Sequence, residues 1–387
     1  MTPTSVVASM PYVETLRLVD HHCHGVLRRP LGRTDFEEML TEAHSTGGLG
    51  GLGGSLFDSQ IGFAVRRWCA PVLDLEAGAE PGVYLARRAE LGAEEITLRF
   101  LRASGLGALC VDTGYVPEPI LSPAELGAAA GAPAYEVVRL EAVAEQVARS
   151  GTGASGFADA VRSHLAEETR TAVGAKSIAA YRVGLELAGT RPSDAEVADA
   201  AGRWLATDTD GSPARLADEV LHRFLVWCGV DLRLPIQFHV GYGDADVDLH
   251  RCSPLLLTDL LRALEPTGVP VLLLHNYPFH REAGYLAQVF PSVFIDVSLA
   301  THNLGRRAPA LLAETLELAP FGKVLFASDA FGLSELYYLG SRLFRRGLTQ
   351  VLREGLDEDS WTETDAARIA RLIGVENACR VYGISPP

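Results

Sequence analysis

His22 and His24 close a short, mostly apolar run, Thr15-Leu16-Arg17-Leu18-Val19-Asp20-His21-His22-Cys23-His24. Successive side chains of an extended strand alternate between faces, so these two imidazoles project to one side and can share a cation. Imidazole suits zinc and similar divalent metals. Two ligands make only half a site, and three later segments supply matching ends. Pro235–His239, Val271–His275 and Val324–Asp329 each run apolar and stop at a metal-competent residue. The order HxH, His, His, Asp predicts a metal centre, because a barrel of parallel strands gathers its strand ends on one face. A divalent cation with an open coordination position lowers the pKa of bound water towards about 7 and gives usable hydroxide at neutral pH.

Such residues need a framework that delivers them together. Short apolar runs alternate with longer helical patterns, and strands are expected at about 16–22, 107–112, 135–141, 171–176, 234–239, 270–275, 292–296 and 323–328. Between them, helices are expected over Phe157–Glu168, Ser253–Leu264, Arg281–Val289 and Ala308–Leu318. Eight strands with helical crossovers predict an α/β fold, a (β/α)8 TIM barrel forming one domain over 1–387. The run Glu136–Glu141 reads equally as a strand or as the start of the Ala/Glu-rich helix that follows.

Two segments, 25–106 and 183–230, are too long for simple connections. The first includes the Gly-rich run Gly47–Gly54, and the second is Ala-rich with Ser193 as an expected helix N-cap. Both leave the C-terminal end of a strand, so both are expected as helical insertions at that face, as a lid or a substrate-selecting cap. The glycine run lacks a GK[ST] ending and a preceding strand, so it reads as a mobile loop and not a phosphate cradle.

Composition narrows the partners. The net charge is −15 with no basic stripe to offset it, which argues against nucleic acid or an anionic membrane surface. A small-molecule substrate is expected, and a homo-oligomer is compatible with the sequence. The six cysteines are scattered without a CxxC pair, so a disulfide framework is not expected and a reducing cytoplasm is. Met1–Pro11 has neither a basic n-region nor a long apolar h-region, and no run of about 18 apolar residues suggests a membrane span.

Several segments together resemble the amidohydrolase superfamily, in the branch that also holds decarboxylases, lactonases and hydratases. They are Val19–His24, Ala175-Lys176-Ser177-Ile178-Ala179-Ala180-Tyr181-Arg182, Gln237-Phe238-His239-Val240-Gly241-Tyr242-Gly243-Asp244, Leu274–Tyr285 and Phe326-Ala327-Ser328-Asp329. Within that branch the chain resembles the amidohydrolase modules fused to glutamine synthetase-like domains in fungi and plants, and free-standing bacterial relatives. The resemblance implies that His22, His24, His239 and Asp329 surround one divalent metal, zinc or manganese. It also implies that Asp329 orients the water and takes its proton, and that His275 polarises the substrate or joins a second metal.

Lys176 has three readings: carboxylated and bridging two metals, a cation holding a substrate carboxylate, or a surface ion pair. Arg139, Glu141, Arg182, His280 and Glu282 fall at or just after strand ends. Of these, Arg139, Arg182 and His280 are the expected substrate contacts, with ion pairs bracing the barrel rim as the plainer alternative. Asp244, Asp246 and Asp248 lack the glycine and glutamate of a calcium loop and read as turn formers. The expected reaction is metal-dependent hydrolysis of a C–N (amide) bond in a small carboxylated substrate. A γ-glutamyl amide is suggested by the company such modules keep. The alternative is non-oxidative decarboxylation, or another lyase step, of a small carboxylic acid, which the same ligand set would serve. A catalytically silent module would be expected to have lost a ligand, and none of the four is missing.

Overall fold

In a computed structural model, residues 10–43, 54–207 and 215–387 are described. Seven parallel strands form one sheet in chain order: β1 Leu18–Cys23, β2 Leu106–Asp112, β3 Ala134–Arg139, β4 Gly174–Ser177, β5 Ile236–Val240, β6 Val271–His275 and β7 Val293–Ile295. Six of them are buried along their whole length, as expected of a parallel sheet covered on both faces.

The eighth segment closes the ring without forming a regular ladder. Leu325 N–H donates to Ile295 O (2.9 Å), and His21 N–H donates to Phe326 O (3.2 Å), so Val324–Phe326 spans from β7 to β1. The departure from the expected strand has a local cause. The Asp20 carboxylate accepts both the backbone N–H (2.8 Å) and the hydroxyl (2.6 Å) of Ser328, taking the place of a ladder carbonyl. Asp329 then turns into the left-handed region at φ 53°. The result is an α/β barrel with seven regular strands and an irregular eighth.

The ambiguous run splits at Arg139: β3 ends there and a helix runs over Leu140–Arg149. Each long connection contains an ordinary crossover helix, Pro81–Ala103 in the first and Glu219–Asp231 in the second. The latter packs on Leu140–Arg149, β4 and β5. What is added is therefore shorter than the sequence suggested. The additions are the short helices and turns before Pro81 and the helix Asp194–Leu205, which packs on the helices Ala154–Glu168 and Glu219–Asp231. Ser193 caps that helix as expected, in a reciprocal box with Glu196. Gly47–Gly53 of the glycine run lie outside the described residues. All six cysteines are free and buried. Among the described residues, no helix is long and apolar enough to cross a membrane.

Candidate active site

The ends of β1 and β6 and the turn after the eighth segment converge on one carboxylate. Asp329 Oδ1 lies 3.1 Å from His22 Nε2 and 3.4 Å from His24 Nε2, and its Oδ2 lies 3.3 Å from His275 Nδ1. Asp112, the last residue of β2, brings a second carboxylate to the β1 imidazoles. Potential ligand atoms of His22, His275 and Asp329 all lie within 4.8 Å of one another, and so do those of His22, His24 and Asp112. His22 belongs to both groups.

His239 stands across the site, its ring 4.5 Å from that of His275 and 4.4 Å from that of Tyr181. It joins neither close group. Its Nε2 is buried and has no hydrogen-bond partner, a costly state for a polar atom unless something binds there. A Cβ on Gly243 would come within 2.4 Å of the Tyr181 hydroxyl and 2.9 Å of His239 Nε2, so only glycine lets the loop after β5 pass so near. An orphaned imidazole nitrogen beside three other imidazoles and two carboxylates is a donor set that fits a divalent cation.

Burial sets the charge states. It pushes His22 down to about 3 and His275 down to about 4, with the Lys176 ammonium adding to both. Burial, His275 and Lys176 hold His239 well below its ordinary value. These rings are therefore neutral at pH 7, the form that binds a metal. Burial would raise Asp329, but His275 and the contacts from His22 and His24 overcome it and hold the carboxyl well below the usual range.

A supporting layer fixes the ligand orientations. Asp296, just past β7, accepts the backbone N–H of His275 (2.9 Å) and the hydroxyl of Ser298 (2.6 Å), and pairs with His21 Nε2 (2.9 Å). Because Ser298 spends its proton on Asp296, it accepts from His275 Nδ1 at 2.8 Å. The lone pair of His275 therefore sits on Nε2, which suits a ligand or base better than an N–H donor. His275, Asn276, Leu299 and Asp329 all carry φ between 53° and 68°. Left-handed backbone at non-glycine residues costs about 1 kcal/mol or more each and clusters where a site demands it.

The other expected residues divide. Lys176 is buried, its Nζ 2.8 Å from His22 Nε2, so it is not a surface ion pair. Burial lowers its pKa, against the pull of Asp112 and Asp329. Arg139 directs Nη2 (2.6 Å) and Nε (3.2 Å) onto Asp112 Oδ2, which is the bracing role, although it also lines the cavity. Arg182 lines the same cavity with Nε and Nη1 buried and unpartnered, its closest carboxylate being Glu145 at 4.0 Å. His280 does not line the cavity. It heads the helix His280–Val289 and its Nε2 lies 2.8 Å from Glu314 Oε2, so the structure does not bring it to the cavity as the expected substrate contact. Glu141 braces the end of β4, accepting from Ser177 Oγ (2.7 Å), Ile178 N (3.0 Å) and His222 Nδ1 (3.1 Å). Asp244 lines the cavity and forms the expected turn, its Oδ1 accepting from Asp246 N at 2.8 Å.

Two residues escaped the sequence reading. Asp112 carries the same signal that singled out Asp329, an apolar run ending in an acid, and could have been found. His302 lies in a short helix after β7, where no strand-end pattern marks it. It is buried, lines the cavity, has an unpartnered Nδ1 and is pushed by burial down to about 4. The cavity these residues enclose measures about 320 Å³, enough for a small molecule.

Comparison with known proteins is consistent with this geometry. Residues 114–384 match the family model described as Amidohydrolase. Over 227 residues the chain is 32% identical to Protein fluG of Emericella nidulans, an alignment covering 56% of this chain and 26% of that protein. The chain thus spans about a quarter of that relative's length. The fold is similar to that of a candidate metal-dependent hydrolase from Lactobacillus casei ATCC 334, with 30% identity, a TM-score of 0.83 and 96% of each chain covered. A uronate isomerase from Bacillus halodurans C-125 shares the fold alone, at 15% identity and a TM-score of 0.62, covering 97% of this chain and 95% of that one.

Proposed function

The chain belongs to the amidohydrolase family, and from that premise we propose that it hydrolyses the C–N bond of a small carboxylated amide with the help of a divalent metal, zinc or manganese. A γ-glutamyl amide is the instance that the likeness to glutamine synthetase-linked modules brings forward. The observation that carries the reading is the Asp329 carboxylate within 3.4 Å of three imidazoles, one from β1, one just past its end and one from β6. His22, His24 and Asp329 would hold the cation, with His239, His275 and Asp112 completing or extending the set. A cation bound there supplies Lewis acidity towards a carbonyl and makes water acidic enough to react near neutral pH.

The rest of the chemistry falls to the chain's own groups. Asp329 stays ionised at working pH and is placed to accept a proton from the attacking water and return it to the leaving amine. Asp296 and Ser298 keep His275 in one tautomer. Arg182 lines the cavity, with Nε and Nη1 lacking hydrogen-bond partners, and would supply positive charge for a substrate carboxylate. Lys176 can serve as a second cation for that carboxylate or, once carboxylated, as a bridge to a second metal. Six buried, unpaired thiols suit a reducing compartment, the cytoplasm in this proposal.

The test is to load the protein with zinc or manganese and present small ω-amides beside the corresponding free acids. Release of ammonia or amine supports the proposal. Release of CO2 without amine would assign the decarboxylase chemistry instead, and neither product from metal-loaded protein would contradict both.

A further inference from the structure

The last helix, Asn377–Tyr382, packs in one buried apolar cluster with residues of β1, β2, β3 and β6, none of which lines the cavity. Barrel interiors are ordinarily filled by branched apolar side chains, yet this helix ends on Tyr382, whose hydroxyl meets a group of buried polar side chains. Gly174 of β4 admits the ring, since a Cβ there would lie 3.1 Å from Tyr382 Cε1. The hydroxyl lies 3.0 Å from His21 Nδ1 and accepts from Gln237 Nε2 at 2.8 Å, and the same amide nitrogen donates to His21 O at 2.9 Å. His21 Nε2 in turn meets Asp296 Oδ2 at 2.9 Å. The carboxylate only accepts, so in the neutral ring the proton sits on Nε2 and Nδ1 accepts from the phenol. The other oxygen, Asp296 Oδ1, takes the backbone N–H groups of His275 (2.9 Å) and Ser298 (2.7 Å). His21, Gln237, Asp296 and Tyr382 are all buried.

Each of these partners stands next to a metal-competent residue. His21 precedes His22, and Gln237 lies two residues before His239 on the same face of β5. Asp296 holds the backbone of His275 directly and its ring through Ser298. We propose that Tyr382 is a positioning residue for the candidate metal centre: by joining His21, Gln237 and, through His21, Asp296, its hydroxyl sets the relative positions of His22, His239 and His275 around the cation. A hydrogen-bonded group buried among apolar side chains rigidifies what it touches, because a displaced member loses a partner that water cannot replace. Residues that orient metal ligands without binding the metal are typically worth about 10–100-fold in metal affinity. The inference rests on the metal-dependent reading for the cation, but the hold on His275 can be measured without metal.

Zinc titration of the full chain against a chromophoric chelator compares wild type with Tyr382→Phe, which removes the hydroxyl and keeps the ring. Zinc affinity is expected to fall at least about tenfold. Gln237→Met removes the amide bridge and keeps the phenol; it should shift affinity in the same direction and decides the matter if Tyr382→Phe does not fold. Ile384→Ala trims the same apolar cluster without touching the polar group. It should lower the melting temperature and leave zinc affinity within about twofold of wild type. In metal-free protein, hydrogen exchange at the His275 backbone N–H, the donor to Asp296, should quicken relative to the amides of β2 in Tyr382→Phe and not in Ile384→Ala. Zinc affinity within about twofold of wild type in the folded Tyr382→Phe and Gln237→Met proteins, or a comparable loss in Ile384→Ala, would overturn the proposal. If the wild type binds no zinc, the metal reading falls and exchange at His275 decides the positioning role alone: faster exchange in Tyr382→Phe upholds it, and unchanged protection overturns it as well.

Discussion

Asp329 concentrates the demands on single residues: it must stay charged, touch three imidazoles and remain able to take a proton. Asp329→Asn is nearly isosteric, so the fold should survive and the amide oxygen can still offer a weaker ligand. It cannot accept a proton, and general base catalysis is worth about 10²–10⁴ in rate. The expected outcome is at least a hundredfold lower turnover with a near-normal circular dichroism spectrum. Turnover near wild type would remove Asp329 as the proton carrier and move His275 into its place. At this scale the sequence was informative where a residue ended an apolar run, as for His22, His24, His239, His275 and Asp329. It misjudged His280 because proximity to a strand end in sequence does not show which way a side chain leaves the rim. His302 was illegible because its helix carries no periodic signal tied to the sheet.

At the scale of elements, the placement of Asp329 depends on the irregular eighth segment. Ser328 ties that segment to Asp20 through two hydrogen bonds, one from its hydroxyl. Ser328→Ala leaves a buried carboxylate oxygen without that donor, a loss of about 1–3 kcal/mol. Denaturant unfolding should show this destabilisation, together with weaker metal retention because Asp329 is the next residue. Unchanged stability and metal content would mean that the Asp20 contact does not position the site. The sequence placed β1, β2 and β4 to β7 within a few residues because buried parallel strands are short apolar runs. It could not show that Val324–Ser328 would exchange ladder bonds for side-chain bonds, since apolar content is the same in either case. Nor could it divide β3 from the helix at Leu140, where Val and Glu suit both states. The long connections were legible as additions, but their crossover helices were not separable from the added parts by length alone.

Across the whole molecule, the pH response follows from groups that burial has shifted. His22, His239, His275 and His302 are held below their ordinary value of 6.5, so the unfolded chain binds more protons than the folded one as pH drops below that value. Their contribution to stability is present above about pH 6.5 and is lost as pH falls towards about 4. Asp20, raised to about 7, and Glu42, raised to about 8, act in the opposite direction, but they are fewer. Metal-free protein should therefore melt at a lower temperature at pH 4.5 than at pH 7. An equal or higher melting point at pH 4.5 would show that the imidazoles are not neutral in the folded state. The connections after β1 and β4 both reach the cavity, through Met39, Glu42 and Ile61 from the first and Arg182 and Arg215 from the second. Both connections therefore contribute to the cavity wall.

The account stands on a divalent metal held between β1 and the end of the eighth segment, and elemental analysis beside thermal melting tests this most directly. Wild-type protein purified without chelator should carry at least one zinc or manganese per chain and should melt lower after chelation, because a ligand bound only to the folded state stabilises it by mass action. The double variant His22→Ala/His24→Ala should be folded, carry little metal and show no further drop on chelation. Equal metal content in the two proteins, or a melting temperature insensitive to chelator in the wild type, would contradict the assignment.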